Sequence, residues 1–90
     1  MPRVFLTRNS KREFERELAC KELIGTFEKY RKIQDLSVAE VCTLADIGKT
    51  RYHARLNAPD EFRLAELTAI IIALKIPADE VLPILHRILQ

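Results

Sequence analysis

The chain has 90 residues, 48% hydrophobic and 31% charged, with a net charge of +2; this suits one small domain with a modest core and excludes a wholly disordered chain. Two glycines and no tryptophan argue against a loop-rich or all-β chain. No apolar run approaches the ~20 residues that span a bilayer, residues 1–10 lack the apolar stretch of a signal peptide, and Cys20 and Cys42, with no CxxC pair, fit reduced thiols in a cytoplasm.

Residues 1–9 read as an N-terminal arm, either unstructured or groove-binding. Ser10 and Glu13 have capping-box spacing and predict a long first helix to about Ile33. Phe14, Leu18, Leu23, Ile24, Phe27 and Tyr30 recur at the period of one buried stripe. Charges such as Glu28 and Lys32 read as the solvated side. Gly25 marks a break in this helix or a close approach by another. Ser37, with Glu40 three residues on, predicts the N-cap of a short second helix ending near Ala45, with Val38, Val41, Cys42 and Ala45 inward. Asp46-Ile47-Gly48 is a tight connection. A third short helix opens at Lys49 or Thr50 and runs to about Asn57, where Pro59 disfavours helix at Ala58. Leu64, Leu67, Ile70, Ile71 and Leu74 predict a fourth helix. A last one follows Pro77, with Asp79 and Glu80 at its positive end. Val81, Leu82, Leu85, Ile88 and Leu89 form its expected apolar side, with a kink or restart at Pro83. Ile72 and Ile84 are surplus to these stripes, so the last two helices form a homodimer interface or lie under the first helix. The expectation is an all-α domain over residues 10–90 with about five helices and an extended N-terminal one.

The segment from Leu36 to Leu56 carries the functional signal. Two short helices joined by three or four residues cross steeply, which is helix-turn-helix geometry, here over residues 37–57. Cys42 and Ala45 are small where such helices touch, and Ile47 is apolar in the turn. Tyr52 and Leu56, four apart, share one face of the third helix. With that face inward, Thr50, Ala54 and Asn57 point outward, flanked by Lys49, Arg51, His53 and Arg55. No acid lies between Gly48 and Asn57, whereas residues 59–90 are net acidic. Small polar and cationic side chains are those that read a major groove. Arg and Lys serve equally to hold phosphates, and spacing does not separate the two uses. His53 and His86 have no neighbours at metal-ligand spacing, so no metal or cofactor is expected. There is no GxSxG, P-loop or HExxH, and nothing points to an enzyme.

Residues 36–82 resemble the phage-repressor/Cro helix-turn-helix family. The likeness rests on Leu36-Ser37, Val41-Cys42, Ala45, Ile47, Lys49-Thr50, Tyr52, Leu56, the Asn57-Ala58-Pro59 loop, Leu64 to Leu74, and Ile76 to Leu82. The resemblance implies a five-helix fold and a small transcriptional regulator, a homodimer on a palindromic duplex DNA site. It implies that Gly48, Lys49, Thr50, His53, Ala54 and Asn57 face bases, and that Ser37, Arg51 and Arg55 lie near the backbone. Three positions depart from the family pattern. Asp46 replaces the usual turn glycine and must adopt a positive φ. Gly48 replaces the polar cap of the third helix, and Val38 replaces a glutamine that reaches a phosphate. The alternative is a protein-interaction module: an antirepressor or adaptor, or an antitoxin that also binds a protein partner.

Overall fold

A computed structural model describes residues 8–89, with side chains from Lys11 onward; of the arm expected over residues 1–9, residues 1–7 lie outside the described residues, and Arg8 and Asn9 belong to the first helix instead. Five α-helices follow in order: α1 (Arg8–Ile33), α2 (Val38–Ala45), α3 (Lys49–Asn57), α4 (Leu64–Leu74) and α5 (Ala78–Leu89), with a 3-10 turn at Pro59–Glu61 before α4. All regular structure among the described residues is helical. None of these helices is long and apolar enough to cross a membrane.

The start of α1 corrects one expectation. The helix already includes Arg8 and Asn9, so Ser10 is inside it and is not its N-cap. Ser-x-x-Glu spacing is also that of two neighbours one turn apart within a helix, so the signature alone does not mark an end. Gly25 neither breaks α1 nor admits a neighbour: a Cβ there would meet nothing within 4 Å. The buried residues of α1 among its described side chains are Ala19, Cys20, Leu23, Thr26 and Phe27, with Phe14 half-buried nearer its start. Leu18, expected inward, is exposed. The 26-residue helix is about 39 Å long and accounts for the long dimension of a 44 × 28 × 24 Å molecule. Its first turns therefore project past the core.

Three helices end the same way. Asp35, Asp46 and Lys75 take left-handed conformations, with φ of 56°, 54° and 56°. The next residue then donates its N–H five residues back: Leu36 to Arg31 O (3.0 Å), Ile47 to Cys42 O (3.0 Å) and Ile76 to Ile71 O (3.1 Å). This closes the last carbonyls of each helix. It also turns Ile47 and Ile76 into the core. Asp is among the few L-residues that visit this region at modest cost, so the turn keeps its shape without glycine.

Leu23, Phe27, Val41, Tyr52, Ile70 and Leu74 are fully buried, and the aliphatic side chains and Phe27 each contribute about 1.5–3 kcal/mol by leaving water. Phe62 closes one side, edge-on to Phe27 at 6.0 Å. α1 packs mainly on α5, α2 on α4, and α3 on α2 and the 3-10 turn. Arg31 fixes the α1 terminus, pairing with Glu28 at 2.7 Å and donating to Leu36 O at 2.9 Å. Glu28, read as solvated, is thus an Arg31 partner. On α5, Lys29 meets Glu80 at 3.0 Å, Tyr30 donates its hydroxyl to Glu80, and Arg87 pairs with Glu22.

The face of α5 differs from expectation. Val81 and Ile84 are buried and Leu85 and Ile88 half-buried, whereas Leu82 and Leu89 face outward. The true stripe is i, i+3, i+4, i+7 from Val81; six apolar residues cover so wide an arc that only packing against α1 selects its centre. Pro83 does not restart the helix. It takes away the N–H that would reach the Asp79 carbonyl, and both residues are exposed.

Candidate nucleic-acid interface

The second and third helices are set by local chemistry. The Ser37 hydroxyl accepts from Glu40 N at 3.1 Å, and Glu40 accepts from Ser37 N at 3.0 Å, closing the expected capping box on α2. At the other end the Asp46 N–H reaches back to Cys42 O and Thr43 O. Cys42, Ala45 and Ile47 are all buried where the helices meet. Gly48 then caps α3 with an ordinary extended φ of −64°, so this glycine is not required by backbone conformation. No side chain caps that end, and the positive pole of α3 is left open to solvent or an anion.

Tyr52 anchors α3 with 0% exposure, and Leu56 follows it half-buried. Rotation about this anchor leaves Gly48, Lys49, Thr50, His53, Ala54 and Asn57 uncovered. Of the expected site residues, Lys49, Thr50, His53, Ala54 and Asn57 form one exposed face on α3, with Gly48 exposed at its N-cap and Arg51 exposed beside it. Ser37 lies at the head of α2, exposed, with its oxygen used as the cap. Burial pushes the Tyr52 hydroxyl up from its ordinary pKa, so the anchor is a neutral phenol.

The two arginines behave differently from the rest. Glu66, on the first turn of α4, has a side chain only 11% exposed and reaches both. Its Oε1 lies 3.3 Å from Arg55 Nε, its Oε2 3.4 Å from Arg51 Nε. Glu61 approaches Arg55 from the 3-10 turn at 3.6 Å. Arg55 is 16% exposed and held by two acids, whereas Arg51 is 48% exposed and held by one. The Arg63 backbone N–H, donating to Oε1 at 2.9 Å, holds the Glu66 carboxyl below the usual carboxylate range, reinforced by Arg55 and Arg51. The face that is acid-free along α3 is therefore not acid-free in space. Lys49 forms no ion pair with the described residues.

Glu61 and Glu66 were not among the residues singled out by sequence. Arg55 and Glu66 are eleven positions apart across a loop, and no periodicity links them. Only the position of Glu66 in the first turn of a helix was readable, and that reports a cap, not a partner. Among the described residues, no group of three or more His, Cys, Asp or Glu is gathered as for a metal ion.

Comparison with known protein families, curated proteins and solved structures finds no match.

Proposed function

We propose that this chain binds duplex DNA in a sequence-specific way through the exposed face of α3, as a small repressor- or Cro-like transcription regulator in a bacterial or phage-infected cytoplasm. The observation that carries the reading is the pairing of a buried Tyr52 with an uncovered Thr50, His53, Ala54 and Asn57 on one short helix. Small and polar residues let a helix approach base edges, with donors and acceptors in reach. Lys49 and the open N-terminus of α3 suit the phosphate beside that groove. Ser37 and Arg51 stand on the flanks; Arg51 reaches a phosphate by exchanging Glu66 for it. Arg55, clamped by two acids, serves as a strut.

Leu64, Ile72, Leu82 and Leu89 are exposed on the last two helices, which supports a homodimer on a palindromic site. A second reading, a module that binds a protein partner, as in an antirepressor, adaptor or antitoxin, draws on the exposed Leu44 and Ile72. With Leu36 and Ala69 they line a groove between α2 and α4. A gel-shift with random-sequence duplex DNA at low salt separates the two. Retardation, followed by recovery of a shared sequence from a random pool, supports the DNA reading. No retardation at 50 mM salt or less, with a folded protein, overturns it.

A further inference from the structure

We infer that Glu66 is a positioning residue for the polyanion-binding surface: from α4 it withholds Arg51 and Arg55 and so limits sequence-independent binding. The inference deepens the DNA reading and rests on it for its biological meaning, but its physical content holds for any polyanion.

The geometry supports this in three ways. The carboxylate lies between two guanidinium groups one helical turn apart, within 3.3 and 3.4 Å. It is held in place by its own helix, because the Arg63 N–H fixes Oε1 at 2.9 Å. Oε2 is buried without a hydrogen-bond partner among the described residues, although Arg51 stands beside it. The Arg51 contact is thus electrostatic and not tightly formed. A phosphate competes for that guanidinium against one poorly aligned oxygen, whereas Arg55 would have to leave both Glu66 and Glu61.

Affinity for phosphates depends on how many protein cations displace counterions condensed on the nucleic acid, with a salt slope of about 0.9 per phosphate neutralised. A carboxylate that already neutralises Arg51 subtracts from that count. It costs correctly docked complexes little if base contacts fix the approach, but it weakens every loosely held one. Glu66 thereby sets the margin between specific and non-specific binding from outside the reading helix.

The decisive variant is Glu66→Gln. Glutamine can still accept from Arg63 N, so the start of α4 is preserved while the charge is lost. Thermal melting checks the fold. Two polyanions serve as probes: immobilised heparin, read as the salt needed for elution, and a random-sequence 20-base-pair duplex, read as the slope of log affinity against log salt. Glu66→Gln is expected to elute from heparin at higher salt than the parent and to steepen the duplex slope by about one. Adding Arg51→Ala abolishes both gains. Glu66→Asp, which keeps the charge, stays near the parent. Glu15→Gln removes the same charge from the exposed side of α1 and shifts elution less.

Equal shifts for Glu15→Gln and Glu66→Gln overturn the inference, since net charge alone then explains them. So does a gain that survives Arg51→Ala, or one that Glu66→Asp shares. A heparin shift specific to Glu66→Gln, with no duplex binding by parent or variant, upholds the ion-pair role and overturns the DNA reading.

Discussion

Replacing Tyr52 by phenylalanine removes a single oxygen from the anchor of α3. That oxygen is buried with no hydrogen-bond partner among the described residues, while the ring is fully enclosed. A buried polar group without a partner costs about 1–3 kcal/mol, and the ring contacts that hold α3 are retained in phenylalanine. The small void left behind offsets part of the gain, so Tyr52→Phe is expected to stabilise the domain by about 1 kcal/mol. For a domain of this size that is roughly 4–8 °C in melting temperature. The assay is thermal unfolding followed by circular dichroism at neutral pH, with a urea titration in which the midpoint rises at unchanged slope. Random-duplex affinity should not change, because the hydroxyl faces the core and not α3's open side. Tyr52→Ala, by contrast, removes the ring and should cost about 3–5 kcal/mol. A melting temperature lowered by Tyr52→Phe would falsify the reasoning: it would mean that the hydroxyl holds a partner, an internal water included.

Three further outcomes are expected. Gly25→Ala should stabilise the domain by about 0.5–1 kcal/mol, since Gly25 sits mid-helix facing open space; a destabilisation in the same melting assay would mean that another group comes close there. Lys49→Ala should flatten the salt slope on duplex DNA by about one unit, whereas Arg55→Ala should change the slope much less and lower the urea midpoint instead, because it strips Glu66 and Glu61 of a partner. Equal slope changes for the two variants would contradict the clamp on Arg55. Stability should also fall at both pH extremes. The carboxyls of Glu28, Glu40, Glu66 and Glu80 are held low: Glu28 by the Arg31 side chain, Glu40 by Ser37, Glu66 by the Arg63 N–H, and Glu80 by Tyr30 and Lys29. A lowered folded-state pKa contributes stability above the unfolded value, near 4.3, and that stability is lost as pH falls through the folded value. Cys20, Cys42 and Tyr52 are raised, each chiefly by burial, and Tyr30 is raised chiefly by its bond to Glu80. A raised folded pKa contributes stability below the unfolded value, lost as pH climbs past it. Urea midpoints should therefore be flat from about pH 5 to 8 and decline outside that window; a midpoint that rises below pH 4 would reverse the sign.

The sequence by itself determined the parts that local chemistry can specify. Ser37 and Glu40 form the cap their spacing announces. Asp46 makes the turn, Ile47 fills it, and Tyr52 anchors α3. The cap and the turn depend on residues within about one helical turn, and the apolar spacing of Tyr52 and Leu56 marks which side of α3 goes inward, although what covers that side is set by packing.

Other choices were made only by tertiary packing. Val81, Leu82, Ile84, Leu85, Ile88 and Leu89 give α5 more apolar surface than one contact needs, and α1 decided that Ile84 goes inward and Leu82 outward. Ser10 looked like a cap because the same spacing recurs inside helices. The acid-free run over residues 48–57 promised three unpaired cations, yet folding brought Glu61 and Glu66 against Arg55, and Glu66 against Arg51. The reason is one of range. Hydrogen bonds at helix ends act between near neighbours in the chain, whereas burial and ion pairing act between whatever surfaces the chain brings together.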